Sequence, residues 1–302
     1  MNFEISRRAS APLLAAALAT AAAAQAQETG WRPFVSLTPV YQGSADLDGG
    51  GDYSIWSAIV RAGVSGAIGG GNRAGVTLNY DYSDHSFSNP VRFGGAAPWN
   101  IVQRYGASVP LSFGLRDGWS VGLVPSFDWF RENGADAGDA FTWGGIVSAT
   151  KRFADGNRLG FGMGLFDRIE ETSVFPFLLV DWRISDRWRL VNPLPAGPTG
   201  PAGLEIEYRL DGGWDVGLGA AWRSTRFRLS KDGTVANGIG EERGVPVFLR
   251  ATRTLAEQMS LNLYAGLVTA GQLRVEDASG NELHEVDFDP APLFGATFSA
   301  RF

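Results

Sequence analysis

Along the last strand-length segment, Pro292 to Phe302, apolar and polar positions alternate strictly. Ala296, Phe298, Ala300 and Phe302 fall on one face, and Gly295, Thr297, Ser299 and Arg301 on the other, because successive side chains of an extended chain point to opposite sides. The same pattern recurs in Val76–Tyr82, Trp119–Trp129, Leu204–Leu210 and Trp214–Trp222. In each, one face is apolar and the other is small or charged. Between these segments lie tight turns such as Leu115-Arg-Asp-Gly-Trp119, Phe153-Ala-Asp-Gly-Asn157, Ile184-Ser-Asp-Arg-Trp188 and Leu210-Asp-Gly-Gly-Trp214. Asp-Gly and its relatives supply the positive φ of a tight hairpin. With Gly69–Asn72 and Ala256–Met259 they make about six short connections. Longer stretches rich in Gly, Asp and Asn fall at roughly 43–53, 84–99, 131–140, 168–174, 193–202, 230–244 and 272–289, about seven in all.

Short and long connections taking turns predict an all-β fold: one antiparallel up-and-down β-barrel of about fourteen strands, with both termini at the short-turn end. Twelve strands is the alternative, because Val174–Ile184 is nearly apolar on both faces and Pro193 and Pro195 truncate its neighbour. Tryptophan placement supplies a length. From Trp119 to Trp129 there are ten steps on one face, which at about 3.3 Å per step and a tilt of about 40° gives roughly 25 Å, the height of an outer-membrane apolar band. Trp119, Trp188 and Trp214 follow short turns, whereas Trp56, Trp129, Trp143 and Trp222 lie toward the long connections. They predict two aromatic girdles at the two headgroup levels, with Phe302 at the lipid boundary.

The N-terminus changes the picture by giving the chain an address. Arg7 and Arg8 precede an Ala-rich apolar run that closes on Ala24-Gln25-Ala26. This predicts a cleaved secretory signal over residues 1–26 and a barrel over 27–302. Removing Glu4, Arg7 and Arg8 with the signal leaves 24 basic and 31 acidic residues, a net charge of −7. That balance argues against nucleic-acid binding. The absence of cysteine excludes disulfides and thiolate metal sites. The mature chain has no apolar run of about 18 residues, so only a closed sheet could cross a bilayer. The expected location is the outer membrane of a Gram-negative bacterium, with periplasmic termini and with lipid and lipopolysaccharide as surroundings.

Strand parity also separates wall from lumen. If Val121, Leu123 and Phe127 face lipid, then Ser120, Gly122, Ser126 and Asp128 face inward. The same rule sends Asp81, Glu205, Glu207, Arg209, Asp215 and Arg223 inside, joined by Arg61, Arg104, Arg250 and Arg301. Both signs of charge then line an interior rich in glycine. Such an interior suits either a constriction that passes small solutes or a plug of ion pairs. The first, a passive or weakly selective pore, is the expected function. A non-conducting structural or adhesion barrel is the alternative, and a hydrolase at the barrel rim ranks third.

Catalytic and metal chemistry have thin support. The two histidines, His85 and His284, fall in expected long connections, and the neighbours of His85, Asp84 and Ser86, point away from it on an extended strand. Asp46–Asp52 begins like a calcium loop, but its twelfth position is Ser57 rather than a bidentate Glu. The carboxylates between Glu276 and Asp289 read as a solvated loop. No enzyme activity, cofactor or metal is expected.

Two family resemblances follow from particular segments. The signal together with the Phe302 strand, Phe175–Leu190 and Gly203–Leu210 resembles an uncharacterised outer-membrane β-barrel family known as a domain of unknown function. Pro39-Val-Tyr-Gln-Gly-Ser44 resembles the MipA/OmpV family. The first resemblance implies fold and location; the second implies a periplasmic scaffolding partner. The strand ending at Phe302 also resembles the C-terminal signal that such barrels present to the barrel assembly machinery.

Overall fold

The computed structural model describes residues 30–194, 197–200 and 202–302; the expected signal over 1–26 lies outside them. Seventeen strand segments form one closed antiparallel sheet: β1 Trp31–Asp46, β2 Asp52–Gly69, β3 Asn72–Ser88, β4 Ile101–Ser108, β5 Leu111–Gly114, β6 Trp119–Glu132, β7 Phe141–Arg152, β8 Arg158–Arg168, β9 Glu171–Arg183, β10 Trp188–Val191, β11 Gly203–Arg209, β12 Trp214–Ala221, β13 Arg223–Arg228, β14 Ile239–Ala256, β15 Met259–Glu276, β16 Glu282–Phe288 and β17 Ala291–Arg301. Three wall strands are interrupted once each, giving the pairs β4/β5, β12/β13 and β16/β17, so the barrel has fourteen. It closes where β1 pairs with β17, from Phe34 opposite Arg301 to Gln42 opposite Leu293. No described helix is long and apolar enough to cross a membrane.

Sheet closure leaves no open edge between the first and last strands, and alternation leaves two unlike faces. Phe161, Met163, Leu165, Val147 and Leu178 are exposed on the outside. Ser126, Asp128, Glu205, Arg250 and Thr297 are buried on the inside. The expected short turns are all present, between β2 and β3, β5 and β6, β7 and β8, β9 and β10, β11 and β12, and β14 and β15. We call the end that carries them and the termini the terminal end.

The opposite, far end departs from the expected set of long loops. β8 and β9 are joined by Ile169 and Glu170 alone, Glu170 taking a φ of 54°. Most of 272–289, the start of 84–99 and the end of 230–244 are strand, so His85 lies on β3 and His284 on β16. The sequence suggested loops there because these stretches are rich in Gly, Asp and Asn. The structure instead buries Glu241, Glu242 and Glu276, while Glu282, Glu285 and Asp287 stay exposed.

That burial has a geometric cause. β12 breaks before β13 at Trp222, β14 shifts register between Arg243 and Val245, Ala270 in β15 has a φ of 48°, and β16 breaks before β17 at Asp289-Pro290. The registers put these four irregularities side by side, since Ala220 pairs with Val247, Val245 with Thr269 and Val268 with Ala291. β-Bulges and breaks bend a sheet where they occur. Beyond this line β13, β14, β15 and β16 form a flap. It stays joined to the end of β1 through the Leu47–Phe288 bridge, while its free edge reaches β6, where Arg228 pairs with Arg131. β13 and β6 lie on nearly opposite sides of the wall, so the flap crosses the barrel mouth.

Candidate functional site

The interior divides into two charged walls, an apolar sector and the flap. On the first wall, neighbouring strands β2, β3, β4 and β6 carry Arg61, Asp81, Arg104 and Asp128. Arg61 binds Asp81 with both terminal nitrogens, Nη2 to Oδ2 at 2.9 Å. Arg104 donates to Asp81 at 3.3 Å and, through Nε, to Asp128 at 2.7 Å. On the second wall, Arg250 donates to Glu205 at 2.8 Å and to Glu207, and Arg189 donates to Asp181 at 2.8 Å. Each ladder balances most of its own charge.

Glycines make these ladders possible. Glu205 on β11 reaches Arg250 on β14 across the intervening β12, where Gly217 sits; a Cβ there would stand 1.8 Å from Glu205 Oε1. At Gly106 a Cβ would stand 1.7 Å from Asp128 Oδ1. The absent side chain is the groove in which the ion pair lies.

Of the other expected lumen residues, Arg223 donates to Gln42 at 2.9 Å and to Glu242 at 2.7 Å, so it belongs to the flap. Arg209 faces Asp215 at 3.6 Å near the terminal end, largely exposed. Arg301 is exposed at the terminal end. The girdle residues Trp56, Trp119, Trp143, Trp188, Trp214 and Trp222 are exposed, as is Phe302, while Trp129 packs on Phe141 at 5.1 Å.

Glu282, His284, Glu285 and Asp287 of β16 are exposed, whereas the centre of the flap is buried on both sides. Its apolar face, with Phe227, Leu273, Val275, Val286 and Phe288, packs in one cluster with Tyr53, Phe93 and Trp99. Trp99 is fully buried there, its ring 5.2 Å from that of Phe227. Its charged face docks on the β8–β9 turn. Arg226 donates to Ile169 O at 2.8 Å and to Glu276 at 2.9 and 2.5 Å. Arg168 donates to Glu241 at 3.1 Å and to Ser224 at 3.0 Å. The acidic run expected to be solvated is thus ion-paired in part: Arg274 also holds Glu285 at 2.5 Å. These groups lie beyond the Trp222 girdle level. Burial would push the carboxyls of Glu241 and Glu242 up, yet both lie below the usual carboxylate value: hydrogen bonding from Arg243 and the charge of Arg168 outweigh burial at Glu241, and Arg223 with His85 does so at Glu242.

His85 is a strut of this assembly. Its Nδ1 donates to Asn100 O at 2.9 Å, and its Nε2 faces Glu242 Oε2 at 3.4 Å. Both ring nitrogens are occupied, which leaves neither to activate a nucleophile. Among the described residues no group of three or more metal-ligating side chains assembles.

Sequence reasoning missed Trp99 and the flap; it expected the connection between β10 and β11 at 193–202 but not its course. The described part of that connection enters the lumen: Thr199 is fully buried, Gly197 lies against Tyr264, and Pro198 lies against Gly295 of β17. The clustered prolines of 193–201 were the available signal, since they exclude strand and leave a stiff irregular segment.

A closed fourteen-strand sheet, apolar outside and charged within, defines a β-barrel of the outer-membrane type. Residues 113–301 match the family DUF6268, a domain of unknown function. The chain belongs to that family, the first of the two resemblances drawn from its segments. No curated protein matches it. Among solved structures it is similar to the COG4313 outer membrane channel from Pseudomonas putida F1, with a TM-score of 0.48, 12% identity, and coverage of 90% of this chain and 95% of that one. The Pseudomonas putida toluene transporter TodX gives 0.46, 10%, 90% and 89%. The translocator domain of the autotransporter NalP from Neisseria meningitidis gives 0.37, 10%, 96% and 97%.

Proposed function

We propose that this protein is exported by its N-terminal signal to the outer membrane of a Gram-negative bacterium. There it acts as a gated, weakly selective pore for small solutes, its termini in the periplasm. The supporting observation is the contrast within the interior. On the first wall, below the flap, Arg61, Asp81 and Arg104 keep 15 to 22% of their side-chain surface exposed, as groups bordering water do, whereas Arg250 and Glu205 of the second wall keep 6% and 0%. At the far end, Arg226 and Glu241 keep 2% and 1%. A barrel serving only as a wall has no use for a partly hydrated inner wall beneath a separate closing sheet. Near-balanced ladders make a weak transverse field and little ion preference.

Single-channel recording tests this reading in a planar bilayer under a salt gradient. The refolded chain should show rare, small openings with slight ion preference, and Arg226→Met, which unlatches the flap, should multiply their frequency. Folded protein, confirmed by its mobility shift on boiling, that stays silent in both forms would overturn the pore and favour a structural barrel.

A further inference from the structure

Among the described residues β9 has a free edge within the apolar belt. It pairs with β8 over Glu171 to Asp181, from Arg158 opposite Asp181 to Arg168 opposite Glu171. On its other side β10 pairs with it only at Asp181, Trp182 and Arg183. Asn192 extends this by a fraction, exchanging hydrogen bonds with Val180 and donating from Nδ2 to Leu178 O and Gly203 O at 2.9 Å. From Glu171 to Phe177 no described strand lies beside β9, because β10 stops at Val191, β11 begins at Gly203, and β13 has swung into the mouth. Trp143 of the girdle is level with Asp167 and hence with Thr172, so Val174, Pro176 and Leu178 lie inside the lipid band. An open sheet edge facing hydrocarbon is not a stable arrangement; irregular or unpaired backbone persists at this depth where it lines a cavity.

The inner face beside this edge is apolar rather than charged. Register places Phe175 opposite Gly164, Phe177 opposite Gly162 and Phe166 opposite Gly144, all on the face opposite to lipid-facing Met163 and Leu165. Each ring packs against its glycine: a Cβ would stand 2.5 Å from Phe175 Cζ at Gly164, 2.3 Å from Phe177 Cζ at Gly162 and 2.5 Å from Phe166 Cδ1 at Gly144. The Phe166 and Phe175 rings are 5.8 Å apart and parallel within 3°. A strip of flat aromatic faces therefore leads along the inner wall to the free edge. Above it, Arg168 with Ser224 and Glu241 ties β8 to the flap; below it, Asn192 closes the wall.

We propose that this gap between β9 and the β11–β13 side is a lateral portal, and that small, ring-bearing apolar molecules pass through it between the lumen and the lipid. The proposal rests on the reading of the barrel as a channel and names the substrate class. Planar molecules fit because the strip presents ring faces, against which offset stacking and apolar burial both act. A second copy of the chain pairing edge to edge is the competing occupant. Pro176 argues against it: parity from Val180 turns its position toward the free side, where it offers no N–H to a ladder.

The chain has no cysteine, so single-cysteine variants carry one nitroxide label each. In proteoliposomes, labels at Phe177→Cys, at the inward control Asn79→Cys and at the lipid-facing control Val147→Cys are compared for collision with oxygen, enriched in lipid, and with a nickel chelate, confined to water. The portal predicts that the oxygen-to-nickel ratio at 177 rises to the value at 147, and that 1-naphthol immobilises the 177 label alone. Phe175→Asp should abolish the naphthol effect. A ratio at 177 equal to that at 79, with no response to naphthol, would overturn the portal, as would dipolar broadening at Val174→Cys from a paired second copy. Salt conductance, which tests the pore itself, reads independently of all of these.

Discussion

The first wall and the flap use the same residue types to opposite ends. On the wall, Arg104 bridges Asp81 and Asp128 on neighbouring strands with 22% of its side chain exposed. In the flap, Arg226 bridges Glu241 and Glu276 with 2% exposed. In the first case water shares the solvation and the ladder is a lining. In the second the charges solvate only one another, and the ladder is a latch. Burial, rather than the identity of the ion pair, decides which role an arginine has.

The largest expected effect separates the two. Arg226→Met leaves Glu241 and Glu276 short of a buried partner and should cost about 3–5 kcal/mol of flap stability. Arg104→Met on the first wall should cost less, because Arg104 and Asp81 each keep 22% of the side chain exposed, although Asp128 keeps only 8%. Limited proteolysis within 229–238, together with urea unfolding in lipid, measures both; equal losses would erase the distinction.

A mid-sized effect sharpens it. Gly217→Ala puts a methyl against Glu205, itself only 1% exposed and held by Arg250, so the pair must shift at a cost of about 1–3 kcal/mol. Gly106→Ala meets Asp128, whose partner Arg104 borders water and can follow it. It should cost less by the same unfolding assay.

The smallest effect is graded with pH. Because the folded pKa values of Glu241 and Glu242 lie below the ordinary 4.5, their contribution is complete above that value and is lost as pH falls through the folded one. Glu132, beyond Trp129, is shifted the other way by burial, despite the backbone N–H groups of Ser230 and Asn100, and does not add to this loss. Acid should therefore raise the opening frequency below about pH 4.5, and Glu242→Gln should flatten the profile.

Much of this architecture was legible in the residues. Turn chemistry at Asp117-Gly118 and Asp211-Gly212-Gly213 marked the terminal end, and parity put Asp81, Asp128, Glu205 and Arg250 on one face. The segment Val174–Val180, apolar on both faces, was legible only as an irregularity. It is the one described stretch where the inner wall carries stacked phenylalanines and the outer wall faces lipid. The flap was not legible at all. Its segments, rich in Gly, Asp and Asn, read as loops, and nothing local in Trp222, Gly244, Ala270 or Pro290 says that they lie side by side.

The sequence by itself therefore determined the strands within the lipid band, their tight turns, which face of each is apolar and the closure of the sheet, because these depend on local periodicity and on lipid satisfying no backbone group. Only the tertiary structure decided what fills the interior. Four breaks far apart in the chain become one hinge only when register aligns them, and an arginine becomes latch or lining only when its distance from water is set.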